Sequence, residues 1–272
     1  MKKDLKIGII GLGLIGGSIF KALYALKYDV SAVSKSIETL EKAKQYTKNV
    51  SPSLDALKSS DIIFVCTPMN KTLDILDELE NIVNKNTIVA DVSSLKSFLS
   101  NKKRPYIFIP THPMAGTEFS GFDSSFETLF QGAKWVLTPF EETSPADVKT
   151  LSAIIEDLGS KPILSTPTEH DEAVALISHM PMLISQALFK TAEANKLAMR
   201  LASSGFKGMT RLALSNEEMA QDMVNLNSEN IQKSLLSLYS SIGELLNDNY
   251  KEQISDIKKS RQSMYKDGKN IL

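Results

Sequence analysis

Short apolar runs alternate with longer amphipathic stretches through the first 165 residues of the chain. The runs are nearly continuous, as at 61–66, and such runs are typical of strands buried on both faces of a parallel sheet. Strands are predicted at 5–10, 30–33, 61–66, 87–92, 106–109, 135–137 and 162–164, and helices at 14–26, 37–46, 71–83 and 146–158. Strands and helices in this alternation predict an α/β domain with a doubly wound, mostly parallel sheet.

The strand signals stop beyond Thr168, and the remaining pattern is helical, rich in Leu, Ala, Met, Glu and Lys. Gly159, Pro162 and Pro167 punctuate the change. We therefore expect two domains, residues 1–165 and an all-helical domain at 166–272. Because many apolar positions of the helical half look exposed, we expect a homodimer that buries them against a second copy.

Composition narrows the class of protein and its location. The 31 basic and 32 acidic residues are well mixed, and a net charge of −1 argues against nucleic-acid or anionic-membrane partners. The sequence contains no run of about 18 consecutive apolar residues, so we predict no membrane span. The single Cys66 excludes an intramolecular disulfide and favours a reducing compartment. We expect a cytoplasmic protein without a targeting segment.

A glycine-rich loop joins the first predicted strand to the first helix. Gly11, Gly13 and Gly16 form G-x-G-x-x-G, in which the first permits a tight turn, the second admits a pyrophosphate, and the third lets the helix pack closely. Amides at the helix N-terminus would face the anion. The loop predicts a dinucleotide-binding Rossmann domain, with cofactor contacts from Gly11, Leu12, Gly13, Leu14, Ile15 and Gly16.

The end of the second strand bears on which dinucleotide binds. A carboxylate there would accept from the ribose 2′-hydroxyl of NAD, but the chain has Ser34, Lys35 and Ser36 instead. Two hydroxyls and an ammonium suit a 2′-phosphate, so NADP is favoured over NAD. The alternative is a solvated Lys35 with NAD held by other contacts. Further cofactor contacts are expected at the ends of the next two strands, from Thr67, Pro68 and Ser93.

His112 follows the predicted strand at 106–109, and Pro113 after it disfavours helix, which keeps the imidazole on extended backbone. In open α/β sheets the substrate lies beyond the carboxyl ends of the strands. A neutral imidazole there can accept a proton from an alcohol while a hydride leaves the same carbon. Ser94 offers a hydroxyl at the neighbouring strand end. We therefore predict His112 as the catalytic base of a dehydrogenase.

The helical half contains two further histidines and a pair of cations. His170 opens a helix, where a capping or solvated role is favoured, and His179 before Pro181 is either a pocket residue or a core histidine. Gly205 and Gly208 interrupt the helical pattern near two cations, Lys207 and Arg211, which either bind a carboxylate or are solvated. Because the two histidines are nine residues apart, a straight helix places them on opposite faces, and no metal site is predicted.

Five motifs occur in a specific order: G-L-G-L-I-G-G-S, D-V-S-S-L-K, H-P-M-A-G-T-E, S-H-M-P and G-F-K-G-M-T-R. Over nearly the whole chain this series resembles the prephenate/arogenate dehydrogenase family of tyrosine biosynthesis. The resemblance implies a Rossmann domain followed by a helical dimerisation domain. It also implies a metal-free, NAD(P)-dependent oxidative decarboxylation of a cyclohexadienol, with hydride leaving ring C4 and the ring carboxylate leaving as CO2.

The resemblance further implies roles for individual residues. His112 would take the proton of the C4 hydroxyl and Ser94 would contact the same hydroxyl. The remaining implied substrate residues are Thr117 and Glu118 at the cofactor–substrate boundary, His179 in the pocket, and Lys207 and Arg211 at the substrate carboxylates. The expected reaction converts prephenate to 4-hydroxyphenylpyruvate, with arogenate to tyrosine as the alternative. Less favoured are a hydroxyacid or imine reductase, which would carry a catalytic Lys in the helical half, and a dinucleotide sensor without turnover.

Overall fold

A computed structural model of the chain describes residues 4–117, 119–246 and 249–265. The chain divides into two compact units. The first runs to Asp171 and also includes Asn216–Asp222, and the second comprises Glu172–Ser215 and the chain from Met223 onward. The first unit is an α/β domain and the second is helical, which confirms the predicted fold class.

Six strands of the first unit form one parallel sheet, in the order β3-β2-β1-β4-β5-β6. This is the strand order of the dinucleotide-binding fold, in which ligands bind where the order reverses between β1 and β4. The strands are β1 (Lys6–Ile10), β2 (Asp29–Val33), β3 (Val50–Ser51), β4 (Ile62–Val65), β5 (Ile88–Asp91) and β6 (Ile107–Phe108). The two-residue β3 is an addition to the strands predicted from the sequence.

Side chains alternate between two hydrophobic clusters along the central strands. Ile7 and Ile9 belong to one cluster, and Ile10 belongs to the other. In β4, Phe64 lies in the first cluster and Ile63 in the second. Because successive residues of a strand point to opposite faces, both faces of the sheet are buried, and this burial explains the uninterrupted apolar runs of the sequence.

A second, three-stranded sheet contains β7 (Thr111–Pro113), β8 (Lys134–Leu137) and β9 (Lys161–Leu164). β7 is antiparallel to β8, with His112 opposite Val136, and β8 is parallel to β9. The expectation that the strand at 106–109 delivers His112 at its own end is therefore wrong in detail. Pro110 has no amide hydrogen to continue that ladder, and its carbonyl accepts from Thr138 of the second sheet at 2.9 Å.

The helices of the first unit lie where the sequence predicts them, with differences of a few residues at their ends. They are α1 (Leu14–Ala25), α2 (Ile37–Ala43), α3 (Met69–Leu79) and α4 (Pro145–Asp157), and two short 3₁₀ turns occupy Leu54–Leu57 and Ser97–Leu99. The Ser144 hydroxyl caps α4 by accepting from the amide of Ala146, and Pro145 occupies the first helical position. A proline there needs no intrahelical hydrogen-bond partner, so this helix starts before the predicted position.

The helical half contains α5 (Pro167–Val174), α6 (Met180–Glu193), α7 (Lys196–Leu201), α8 (Ser204–Met209), α9 (Glu217–Leu226), α10 (Ser228–Leu246) and α11 (Tyr250–Met264), with a 3₁₀ turn at Arg211–Leu214. A π-helical turn, Ala175–His179, joins α5 to α6. Pro181 lies in the first turn of α6, directly after that π-helical turn. A widened turn accommodates the missing amide hydrogen of a proline, so Pro181 interrupts the regular α pattern without ending the helix.

The continuous helical run Pro167–Glu193 is long and apolar enough, by those two measures alone, to cross a membrane. No such segment is expected from the sequence. Apolar helices of this length also occur in the cores of water-soluble proteins, and this one carries the buried His170, Asp171 and His179. These three buried ionisable groups make the run a poor membrane segment.

Candidate active site

The glycine loop lies between β1 and α1 and has the geometry that a dinucleotide requires. Gly11 has a φ of +89°, which a residue with a side chain rarely adopts, and its amide donates to the Val33 carbonyl at 2.8 Å. A Cβ placed at Gly16 would lie 1.9 Å from the Gly11 carbonyl oxygen, whereas one at Gly13 would meet nothing within 4 Å. The turn is therefore closed on its protein side and open at Gly13, where a pyrophosphate can approach the backbone.

Two serine hydroxyls follow β2 at the expected adenosine end of the cofactor. The Ser34 hydroxyl accepts from the Ser36 amide at 3.2 Å, and the Ser36 hydroxyl caps α2 by accepting from the Thr39 amide at 3.2 Å. Lys35 between them is exposed. Because both hydroxyls act as acceptors in these bonds, their own hydrogens can be donated to an anionic ligand.

A chain of hydroxyls joins the ends of β4 and β5. The Thr72 hydroxyl lies 3.3 Å from that of Thr67 and 3.3 Å from that of Ser93. Ser93 is buried, so its hydroxyl is directed into the protein, while Ser94 next to it and Thr67 are half-buried. Pro68 is exposed and directly precedes α3. Ser94 and Thr67 are therefore better placed than Ser93 to present a hydroxyl to a ligand.

His112 is hydrogen-bonded to a second imidazole. Its Nδ1 lies 2.9 Å from Nε2 of His170, and the two rings meet edge to face with centroids 5.1 Å apart. Nδ1 of His170 lies 2.7 Å from the Asp171 carboxylate. His170 is 3% exposed, so the predicted capping or solvated role is wrong. The structure thus contains a series Asp171–His170–His112 that is not predicted from the sequence.

The start of α5 explains why His170 has no capping role. The Thr166 hydroxyl accepts from the Glu169 amide at 3.2 Å, and the Glu169 carboxylate accepts from the Thr166 amide at 3.1 Å. This reciprocal capping box satisfies the helix N-terminus without a histidine. Apolar residues at Val174 and Ala175, four positions after His170 and Asp171, are the sequence signal that places both on the inward face.

Backbone amides anchor the Asp171 carboxylate. The amides of Lys96 and Ser97 each donate to one of its oxygens at 2.9 Å. Burial alone would raise the pKa of Asp171, but the hydrogen bonds from His170, Ser97 and Lys96 outweigh it and lower that pKa. Asp171 is consequently a carboxylate at neutral pH, ready to accept a hydrogen bond from His170.

A buried ion pair supports the backbone of Thr111, the residue before His112. Nζ of Lys96 lies 2.5 Å from the Asp91 carboxylate and 2.5 Å from the Thr111 carbonyl, and the side chains of both charged residues are fully buried. Asp91 also accepts from the amides of Ser93 and Thr111. Burial lowers the pKa of the Lys96 ammonium, against the opposing effect of Asp91. The pair fixes β5, the loop after it and β7 to one another.

The three predicted substrate residues of the helical unit differ in exposure: the histidine is buried and the two cations are exposed. His179 is buried, with Nδ1 3.2 Å from Nδ2 of Asn227, as expected of a core histidine. Lys207 in α8 and Arg211 at the start of the following 3₁₀ turn are both exposed.

The remaining predicted substrate residues lie in the loop after β7. Thr117 is exposed, and its hydroxyl accepts from the Phe119 amide at 3.3 Å. Glu118 lies outside the described residues. Within the described ranges, no three His, Cys, Asp or Glu side chains are grouped to hold a metal ion.

A parallel sheet in dinucleotide-binding order, a glycine loop open to a pyrophosphate and an imidazole near the strand ends define an NAD(P)-dependent dehydrogenase. The sequence matches two family models in succession. Residues 23–164 match the prephenate dehydrogenase nucleotide-binding domain, and residues 166–259 match the prephenate dehydrogenase dimerization domain. The first matched range starts after the glycine loop. The chain belongs to the prephenate dehydrogenase family, as its motifs predict.

Individual relatives agree with this family over most of their length. Arogenate dehydrogenase from Synechocystis has a crystal structure that is 34% identical, with a TM-score of 0.80 over 98% of this chain and all of that one. Prephenate dehydrogenase from A. aeolicus, crystallised with hydroxyphenyl propionate and NAD+, is 26% identical, with a TM-score of 0.86 over 96% of this chain and 98% of that one. Cyclohexadienyl dehydrogenase from Zymomonas mobilis is 28% identical over 90% of this chain and 92% of its own.

Proposed function

We propose that the chain is a prephenate dehydrogenase that converts prephenate to 4-hydroxyphenylpyruvate, with NADP preferred over NAD. The observation that carries this proposal is the position of His112. It directly follows Thr111, whose amide donates to Asp91 at the end of β5, and its imidazole is hydrogen-bonded to His170. An imidazole so placed suits a reaction that needs one base and no metal. The nicotinamide, when bound, supplies the acceptor for the hydride of ring C4.

His112 acts as the base in this proposal. Its imidazole accepts the proton of the C4 hydroxyl as that carbon is oxidised, and the hydroxyl of Ser94 contacts the same oxygen. Loss of the ring carboxylate as CO2 then leaves an aromatic ring, which makes the step strongly favourable. The chain's own tasks are to hold the hydroxyl against His112 and to exclude water from the reacting face of the ring.

The cofactor would lie along the glycine loop and the end of β2. In this proposal Gly11 to Gly16 contact the pyrophosphate, while Thr67, Pro68 and Ser93 lie on the nicotinamide side. Ser34, Lys35 and Ser36 bind the 2′-phosphate of NADP, because they supply two donor hydroxyls and one exposed ammonium directly before α2. A helix N-terminus adds partial positive charge to that set.

Ser34→Asp should move the preference from NADP towards NAD. The new carboxylate repels a 2′-phosphate and accepts from a 2′-hydroxyl, so the ratio of kcat/KM with NADP to that with NAD should fall by about tenfold or more. Ser53→Asp is the matched control, because the Ser53 hydroxyl, like that of Ser34, accepts from the backbone amide two residues later. An unchanged ratio in Ser34→Asp would remove the argument for NADP.

The family resemblance of the sequence assigns the substrate carboxylates to Lys207 and Arg211, and further substrate contacts to His179, Thr117 and Glu118. Arg211→Ala should raise the KM for the substrate by about tenfold or more and leave kcat within about twofold, because the cation binds ground state and transition state alike. Arg200→Ala is the control, since Arg200 is another exposed helical arginine of the same unit. A KM equal to that of the control would exclude this role.

Arogenate is the second candidate substrate, favoured by the 34% identity to the Synechocystis arogenate dehydrogenase. The two substrates differ by a keto group or an amine on the side chain. Steady-state kinetics with prephenate and with arogenate, each with NADP and with NAD, test the proposal directly. The highest kcat/KM is expected with prephenate and NADP. Turnover of small hydroxyacids, or of neither cyclohexadienol, would refute it.

The proposed assembly is a homodimer in the cytosol. The second family model is a dimerization domain, and the helical half exposes large apolar side chains, among them Leu201, Leu214, Leu236, Tyr239 and Leu246. Burying such a surface against a second copy removes it from water, which favours association. The single Cys66 fits a reducing compartment.

A further inference from the structure

We propose that His170 is a positioning residue that holds His112 in the tautomer with its hydrogen on Nδ1, so that Nε2 is the basic nitrogen. This inference rests on the proposed function for its kinetic consequences. The hydrogen-bond series itself is independent of any substrate. Nothing in the resemblance of the sequence to its family assigns a role to His170 or Asp171.

The donor and acceptor roles follow from the fixed end of the series. The Asp171 carboxylate can only accept, so Nδ1 of His170, 2.7 Å away, must carry a hydrogen. In a neutral His170 the other nitrogen, Nε2, is then an acceptor. Nδ1 of His112 lies 2.9 Å from it and therefore donates, which requires a hydrogen on Nδ1. The lone pair of a neutral His112 is left on Nε2, as a base requires.

Asp171 is itself held by backbone amides, which, unlike side-chain donors, cannot change rotamer. Its two oxygens accept from the main-chain amides of Lys96 and Ser97, each at 2.9 Å. Those amides follow Ser94 by two and three residues, and the side chain of Lys96 is locked to Asp91. One carboxylate therefore fixes both the loop that carries Ser94 and the imidazole pair that ends in His112.

The series also suits the charge that forms on His112. When Nε2 takes the hydroxyl proton, the ring becomes an imidazolium and its Nδ1–H becomes a stronger donor to His170. The negative charge of Asp171 lies beyond His170, in a buried setting where it is weakly screened. No covalent bond changes at His170, and the proton taken from the substrate leaves from Nε2 of His112 to water.

The tautomer can be read directly by long-range ¹H–¹⁵N NMR of the imidazole rings. The chain has three histidines, so each ring is assigned by comparison with a single substitution. In the unsubstituted protein we expect His112 with its hydrogen on Nδ1 at a pH where the ring is neutral. In His170→Leu, which removes the acceptor, His112 should revert to the Nε2–H form that a free imidazole favours. A His112 with its hydrogen on Nε2 in the unsubstituted protein would overturn the proposal.

His170→Gln is the conservative partner of His170→Leu, because the amide oxygen of Gln can lie where Nε2 of His170 lies. His170→Leu should lower kcat by about 10–100-fold with KM and cofactor affinity within about twofold, and His170→Gln should recover most of that loss. Equal losses in the two variants, or a Leu variant with an unchanged His112 tautomer, would reduce His170 to a packing residue and refute the inference.

The two proposals fail in different ways. If the unsubstituted protein turns over neither prephenate nor arogenate while His112 has the Nδ1–H tautomer, the proposed function falls and the positioning role stands. If turnover is normal and the tautomer is Nε2–H, the positioning role falls alone. Should His170→Leu not fold, the spectrum of the unsubstituted protein still decides between these outcomes.

Discussion

His112→Asn is expected to lower kcat by about 10²–10⁴-fold while the affinity for NADP changes by no more than about twofold. Asparagine keeps a polar side chain at the central position of β7 but cannot accept the C4 hydroxyl proton at neutral pH. Because cofactor contacts are assigned to the glycine loop and to the ends of β2, β4 and β5, none of them comes from this side chain. Steady-state kinetics combined with a fluorescence titration of NADP measure the two effects on the same preparation.

The control for this variant is its thermal unfolding midpoint, since a His112 that only supported the fold would lower both activity and stability. A parallel loss of kcat, cofactor affinity and thermal stability would show that the imidazole is structural. A selective loss of kcat, with the pH–rate profile of the variant flattened on its acid side, identifies the base.

Lys96→Met should reduce the free energy of unfolding by about 3–5 kcal/mol at pH 7. The methionine fits the volume of the lysine stem but leaves the fully buried Asp91 carboxylate without its cation and the Thr111 carbonyl without its donor. Breaking one side of a buried ion pair is costly because the remaining charge stays in a medium of low polarity. Urea unfolding followed by circular dichroism measures the change.

Lys85→Met is the matched control, because Lys85 is exposed and a surface change of this kind alters stability by about 0.5 kcal/mol or less. If Lys96→Met cost no more than the control, the amides of Ser93 and Thr111 alone would suffice to hold the Asp91 charge. The ion pair would then have no part in fixing β7 beside β5.

The sequence predicts the parallel sheet well because its strands are buried on both faces. Runs such as Ile62–Val65 are unambiguous when no polar residue interrupts them. The two-residue β3, Val50–Ser51, is missed because so short a strand has no periodicity. The separation of β7 from β6 is also missed, since it depends on which strands pair around Pro110 and not on local pattern.

The site was predictable only where a motif has a local signature. The glycine loop and His112 stand out because a turn and a proline constrain their own backbone. The buried place of His170 depends on the inward face of α5, and that of Lys96 on a carboxylate five residues earlier across a turn. Burial of a charged side chain is set by tertiary pairing, which propensity and spacing do not encode.

The capping box at the start of α5 sets the rotational phase of everything that follows it. Thr166 and Glu169 fix the first turn, and His170 is the very next residue. Each residue advances a helix by about 100°. Inserting or deleting one residue between the cap and His170 would therefore rotate the imidazole about the helix axis by more than a quarter-turn, away from His112. An insertion or deletion at this junction should therefore disturb the orientation of His170 far more than a substitution does, although the junction itself is open to solvent.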